Sequence, residues 1–165
     1  MGLGKTIGRA TDETKDLRQC WRTPRSFFDT LDAVFGFTVD ACASSENALC
    51  DRYWSAEQDC RDQPWGGEVV FCNPPFRDAA SILPKAREAD ACVFLLPLTA
   101  LTTRYYGKTP ADWVCFPAYR VPFVSPDATQ WKTHPSLGTV VLIYGSLSDR
   151  QTEQLRTVGS LYRQA

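Results

Sequence analysis

Residues 68–76 read EVVFCNPPF. Val69 to Cys72 is a short, unbroken apolar run, the pattern of a strand buried on both faces. Asn73 then meets Pro74 and Pro75, which lack backbone N–H groups and exclude helix across the junction, so the strand stops at an amide followed by a rigid turn. An aromatic ring, Phe76, closes the stretch.

Two similar runs flank it in the chain. FTVD at 37–40 is short and apolar and ends at Asp40, and ACVFLLPL at 91–98 is apolar through Leu96 and ends at Pro97. Strands at Phe37 to Asp40, Val69 to Cys72 and Cys92 to Leu96, with connections long enough for crossovers, predict a mainly parallel sheet with helices on both faces. In such sheets ligands bind beyond the carboxyl ends of the strands, the edge that Asp40 and Asn73 share. Before them, WRTPRSFFDTLDAVFG predicts a helix: Thr23 as cap, Pro24 in the first turn, Phe27, Phe28, Leu31, Val34 and Phe35 at helical spacing, Gly36 as the stop. A helical turn is expected around Ser45 to Cys50, and a helix from Ser81 to Glu88 that Pro84 starts or kinks. DWVCFPAYRVPF and GTVVLIYG read as β-rich, and Ser148 with Gln151 forms a capping-box pattern that opens a final helix.

The chain has 165 residues, 44% of them hydrophobic, which suits one domain with a real core. We divide it into a flexible arm at 1–19, a main domain at 20–145 and a C-terminal helix at 146–165. GLGKT near the start lacks the first glycine and the preceding strand of a phosphate-binding loop, so it carries no nucleotide-site reading. A formal charge of −1 gives no overall attraction to polyanions; Arg77, Lys85, Arg104, Lys108, Arg120 and Lys132 are the candidates for local phosphate contacts. Seven cysteines without a C-x-x-C pair, together with one histidine, His134, do not make a zinc site, and no metal is expected. Buried reduced thiols, no apolar leader and no membrane-length run point to a soluble protein of a reducing cytoplasm, with no membrane partner.

The chemistry of the opening stretch follows from its groups. An exocyclic amine or amide nitrogen is a poor nucleophile because its lone pair is delocalised, so a site that methylates it needs acceptors for its N–H groups as the nitrogen becomes tetrahedral. The Asn73 side-chain oxygen and the Pro74 carbonyl are suited to that, and Phe76 to stacking on a planar substrate. By themselves these residues also fit a turn with a packed ring. Asp40 equally suits capping a helix or meeting a ribose or ammonium group. Thr23-Pro24 is first a helix start, His134 a turn or surface residue, and Trp54, Trp65, Trp113 and Trp131 core or rim.

N-P-P-F at a strand end resembles the catalytic motif of S-adenosylmethionine-dependent amino-methyltransferases. The wider run, from WRTP through DACASSENALC and RYW to W-G-G-x-x-x-F-C-N-P-P-F, is similar to the phage-type DNA N6-adenine methyltransferases over roughly residues 20 to 145. The resemblance implies an α/β, single-domain, Rossmann-like methyltransferase sheet; S-adenosylmethionine as cofactor; double-stranded DNA as partner; and the cytoplasm of a bacterial host as location. It implies catalytic roles for Asn73, Pro74, Pro75 and Phe76. Trp21, Thr23 and Pro24 would hold the methionine end of the cofactor, Asp40 and Ala41 would lie at its strand end, and Asp59, with Glu57 as the alternative, would meet the adenosine. No glycine-rich turn follows Asp40, so Ala43, Ser44 and Ser45 must allow close approach. The motif alone also fits N4-cytosine or glutamine-amide methylation, and the scaffold also fits a non-catalytic nucleic-acid or cofactor-binding module. Only some forty residues separate FLLPL from GTVVLIYG, which predicts a short or relaxed recognition sequence.

Overall fold

The computed structural model of the protein describes residues 21–124 and 138–164. The expected N-terminal arm, His134, Trp131 and Lys132 lie outside the described residues. Helix α1 covers Arg25–Phe35 and buries Phe27, Phe28 and Leu31. Its N-cap is Pro24 in extended conformation, with no side-chain cap. This corrects the expectation for Thr23: the Pro24 carbonyl takes the N–H groups of Phe27 and Phe28, both at 3.0 Å, and the Thr23 hydroxyl is left for another partner. Gly36, at φ 64°, closes the helix with its N–H on the Asp32 carbonyl, a left-handed turn that favours glycine.

Strand β1 is only Val39–Asp40, followed by β2 at Val69–Cys72 and a single helical turn, α2, at Ala79–Ile82. There Pro84, which lacks the N–H an α-helix needs, gives way to a 3₁₀ turn at Leu83–Arg87 instead of a continuous helix. Strand β3 (Ala91–Pro97), a second 3₁₀ turn (Leu98–Thr102), α3 (Arg104–Lys108), β4 (Trp113–Pro117), β5 (Thr139–Tyr144), α4 (Asp149–Val158) and β6 (Gly159–Arg163) complete the order. Around Ser45 the chain makes a turn without a helix.

The six strands form one sheet in the order β1-β2-β3-β5-β4-β6. β1, β2 and β3 are parallel, but β5 is antiparallel to both β3 and β4, and β6 is antiparallel to β4. The fold is α/β, and the expectation of a mainly parallel sheet is corrected. An apolar strand buried on both faces reads the same in either direction, so TVVLIY carried no sign of its orientation. What sets it is where the chain re-enters: the Gly138 carbonyl accepts the Leu98 N–H at 2.8 Å, so β5 starts at the edge where β3 ends. The C-terminal expectation also changes. α4 has its Ser148–Gln151 capping box, but it ends at Val158 and the chain turns directly into the edge strand β6. GSLYR is half exposed and starts at the helix end, so it lacks the apolar signature of the inner strands.

Period-2 alternation divides the core in two. Phe71, Val93, Leu95, Cys115, Val141 and Ile143 pack with α1 and α4 on one face. Val70, Cys72, Cys92, Phe94, Leu96, Val140, Leu142 and Tyr144 face the other, with α2, the 3₁₀ turns and the segment holding Trp54 and Trp65. Trp65 is fully buried between Trp54 (5.7 Å between ring centroids) and Phe94 (6.2 Å), and its Nε1–H donates to the Cys60 carbonyl at 2.7 Å. Rings of this size dominate core energetics, each contributing about 1.5–3 kcal/mol on burial.

The α4–β6 junction is closely packed at Gly159. A Cβ at Gly159 would fall 2.0 Å from the Phe116 carbonyl oxygen, which belongs to the neighbouring strand's backbone. Gly159→Ala must therefore push β6 off β4. Denaturant unfolding should show a loss of about 2 kcal/mol or more; wild-type stability would mean that β6 does not close against β4.

Candidate active site

The carboxyl ends of β1 and β2 build the site. Asp40 is buried, and the chain after β1 folds around it: its Oδ1 accepts the Cys42 N–H (3.4 Å), its Oδ2 the Leu49 N–H (3.2 Å), and its own backbone pairs with Arg52 and Trp54. Burial pushes the carboxyl up to about 6, against the pull of the two backbone N–H donors. The loop thus gains its shape from a carboxylate held in a low-dielectric setting, where a nearby cation would be attracted strongly.

Asn73 follows β2 directly. Its Nδ2 donates to the Trp21 carbonyl at 3.0 Å and to the Thr23 hydroxyl oxygen at 3.1 Å. A backbone carbonyl only accepts, so it fixes which end of the carboxamide faces it. The amide nitrogen points to residues 21–23, and among the described residues no donor reaches Oδ1. Pro74 is buried, Pro75 half-buried with its carbonyl on the Asp78 N–H at 2.9 Å, and Phe76 is 42% exposed.

A cavity of about 420 Å³ lies between these two strand ends. Of the residues singled out by sequence, Trp21, Thr23, Asp40, Ala41, Asp59, Asn73 and Pro75 line it; Pro24, Pro74 and Phe76 do not. Between the two acids left open for the far end, the fold brings Asp59 to the cavity and leaves Glu57 outside, hydrogen-bonded to Ser55. Asp59 is not unaccompanied. Arg61 donates from Nε to both its oxygens (2.8 and 3.0 Å) and holds the carboxyl down at about 2.

Sequence reasoning missed Arg61, which also reaches Ser81 Oγ at 3.2 Å, because a charged residue in an irregular loop has no periodicity to flag it. Its position two residues after Asp59 was the one available signal. Cys42 and Cys60 were also missed as lining residues. The Cys42 sulfur sits 3.8 Å from that of Cys60 and 3.7 Å from that of Cys72; the Cys42 thiol is raised well above its ordinary range, and Cys60 is raised by its hydrogen bond to Cys42 and by burial, so this part of the lining is neutral. Leu49, Trp54 and Ile82 add apolar surface. The charged lining is acid-rich, with Asp40, Glu46, Asp59 and Asp78 against Arg22 and Arg61. Lys85, one of the phosphate-contact candidates, pairs instead with Glu88 in the turn before β3. Among the described residues no group of His, Cys, Asp and Glu is arranged to hold a metal ion, and no helix is long and apolar enough to cross a membrane.

An amide at the end of one strand, turned with its nitrogen to residues 21–23, thus stands beside a cavity floored by a buried acid at the end of the next. The chain belongs to the DNA N-6-adenine-methyltransferase (Dam) family, whose model matches residues 10–161. It is 33% identical over 82 residues to the DNA N-6-adenine-methyltransferase of Escherichia phage T1, a match covering 48% of this chain and 34% of that protein. It is 31% identical over 71 residues to YfdM of Escherichia coli (strain K12), whose name places it provisionally among the methyltransferases, over 39% of this chain and 78% of that one. The chain thus spans about a third of the phage T1 relative's length.

The raised Asp40 carboxyl has a stability consequence. The folded state holds this proton up to about pH 6, whereas the unfolded chain releases it near 3.8, so the folded state binds more protons between those values. Stability from this residue therefore falls as pH rises through that window, by on the order of 3 kcal/mol if the shift is complete. In Asp40→Asn that decline should disappear. Denaturant unfolding of both proteins from pH 4 to 7 checks this, and parallel pH profiles would contradict it.

Proposed function

We propose that the protein methylates the N6 amine of adenine in double-stranded DNA with S-adenosylmethionine as donor, acting in the cytoplasm of a bacterial host. The observation that carries the reading is the Asn73 carboxamide at the cavity wall, whose nitrogen is tied to residues 21 and 23 while no donor among the described residues reaches its oxygen.

The cavity fits the cofactor by its donor set. At about 420 Å³ it lies in the range of small-molecule pockets, and it combines a buried carboxylate, an acid-rich lining and apolar walls. Those features suit a ligand that carries positive charge and a flat ring. Trp21 would hold its methionine end, with Asp40 and Ala41 at the strand end and Asp59 at the adenosine, while the Thr23 hydroxyl oxygen is taken by Asn73, and Pro24, outside the cavity, acts by starting α1. When bound, S-adenosylmethionine supplies an electrophilic methyl group on a positively charged sulfur.

The chain's own residues do the rest. Adenine N6 is held in its base pair and its base in the stack, so the base must leave the duplex to reach Asn73, and the exposed Phe76 ring would stack on it. Asn73 Oδ1 and the Pro74 carbonyl accept hydrogen bonds from the two N6–H groups and stabilise the positive charge that grows on the nitrogen as its lone pair leaves the ring system to bond the methyl carbon; the methylated nitrogen then loses one proton to solvent. Asn73 Oδ1 is oriented by the two Nδ2 contacts before substrate arrives, so that acceptor needs no reorganisation in the transition state.

The test is digestion of DNA after incubation with protein and cofactor, with mass spectrometry of the nucleosides. N6-methyladenine is expected; N4-methylcytosine alone, or no modified base, would overturn the reading. Asn73→Ala should bind cofactor nearly normally and transfer methyl at least about a hundredfold more slowly, because the acceptor matters chiefly in the transition state. Phe76→Ala should weaken DNA binding by about 1–3 kcal/mol through lost stacking, with Phe76→Tyr tolerated; equal behaviour of the two variants would make the ring structural. Cofactor affinity, measured by calorimetry, should rise from pH 5 to 7 as Asp40 ionises, and Asp40→Asn should flatten that rise.

A further inference from the structure

The segment before α1 does more than wall the cavity. Arg22 forms an antiparallel bridge with Val124, donating its N–H to the Val124 carbonyl and accepting the Val124 N–H, both at 2.9 Å. In extended backbone, successive carbonyls point to opposite sides. With the polar groups of Arg22 committed to Val124, the Trp21 carbonyl is turned the other way, where it meets Asn73 Nδ2 at 3.0 Å. Two residues on, the Thr23 hydroxyl oxygen meets the same nitrogen at 3.1 Å. Pro24, with fixed φ and its carbonyl engaged by Phe27 and Phe28, anchors the segment on its other side.

We propose that Thr23 is a positioning residue for Asn73: it sets the rate of methyl transfer by holding the carboxamide with Oδ1 outward, and its weight falls on turnover rather than on cofactor affinity. The inference rests on the amino-methyltransferase reading of Asn73 and assigns Thr23 a partner that the family resemblance does not. The hydroxyl is the one side-chain acceptor of the pair, and the carboxamide needs both acceptors to fill both N–H groups of Nδ2. With only the Trp21 carbonyl left, one N–H is unpaired in a half-buried setting and the plane of the amide can swing, which misplaces the oxygen.

Thr23→Val keeps the shape and removes the acceptor; Thr23→Ser keeps the acceptor. Thr23→Val should lower kcat at least tenfold while the S-adenosylmethionine Kd stays within about threefold of wild type, and Thr23→Ser should restore most of the rate. A readout independent of activity is the Asn73 side-chain amide resonance in the cofactor-free protein, identified by its absence in Asn73→Ala. It should shift in Thr23→Val and return in Thr23→Ser. Unfolding midpoints close to wild type would separate this from general loss of structure; if Thr23→Val fails to fold, the resonance and rate of Thr23→Ser must still match wild type. Wild-type kcat in Thr23→Val, or a large rise in cofactor Kd with an unmoved Asn73 resonance, would overturn the proposal. A wild-type protein that transfers no methyl group would defeat the functional reading instead, and the resonance would then decide the positioning role alone.

Discussion

The Asn73 carboxamide joins parts of the chain that are otherwise far apart. Through Nδ2 it ties the exit of β2 to residues 52 and 50 positions earlier, the Trp21 carbonyl and the Thr23 hydroxyl. The same contact closes the cavity on one side, because Trp21 and Thr23 line it, and sets the direction of the carboxamide oxygen. In the proposed reading, a single amide does structural work with its nitrogen and keeps its oxygen for chemistry. Aspartate at this position would face the Trp21 carbonyl with a second acceptor, which explains in physical terms why an amide suits the site better than an acid.

Asp40 shows the complementary arrangement one strand away. Its carboxylate shapes the chain that wraps the cavity, by accepting the Cys42 and Leu49 N–H groups, and its burial leaves it poised between charge states. Asp59 is held ionised by Arg61 at the more open side. One acid is buried and costly to ionise; the other is half-buried and paired. The lining thiols add no charge, so the electrostatics of the cavity come from four acids, Asp40, Glu46, Asp59 and Asp78, against Arg22 and Arg61, and favour a ligand bearing positive charge near Asp40.

Some of this was legible before the fold was seen. Continuous apolar runs ending at Asp40 and Asn73 placed both residues at one sheet edge, and the first three strands are indeed parallel. The direction of β5 was not legible, since strands buried on both faces carry the same pattern either way, and β6 was hidden because its exposed residues follow α4 without a break. Within the site, composition could suggest what Asn73 does but not what Thr23 touches: Thr-Pro before a helix reads as a cap, and only the fold reveals that Pro24 takes that position and frees the hydroxyl. The W-G-G stretch proved structural. Trp65 is stacked in the core, and Gly67 adopts φ 81° with its N–H on Asp90, so part of the resemblance reflects how the sheet is built rather than what it binds.

The central claim is geometric, and a distance tests it most directly. In a crystal structure with duplex DNA and S-adenosylhomocysteine, the demethylated form of the cofactor, the ligand sulfur should lie in the cavity beside Asp40, and the N6 of an unstacked adenine should sit about 3 Å from Asn73 Oδ1. An adenine amine held by other residues, with Asn73 still turned away from it, would contradict the account.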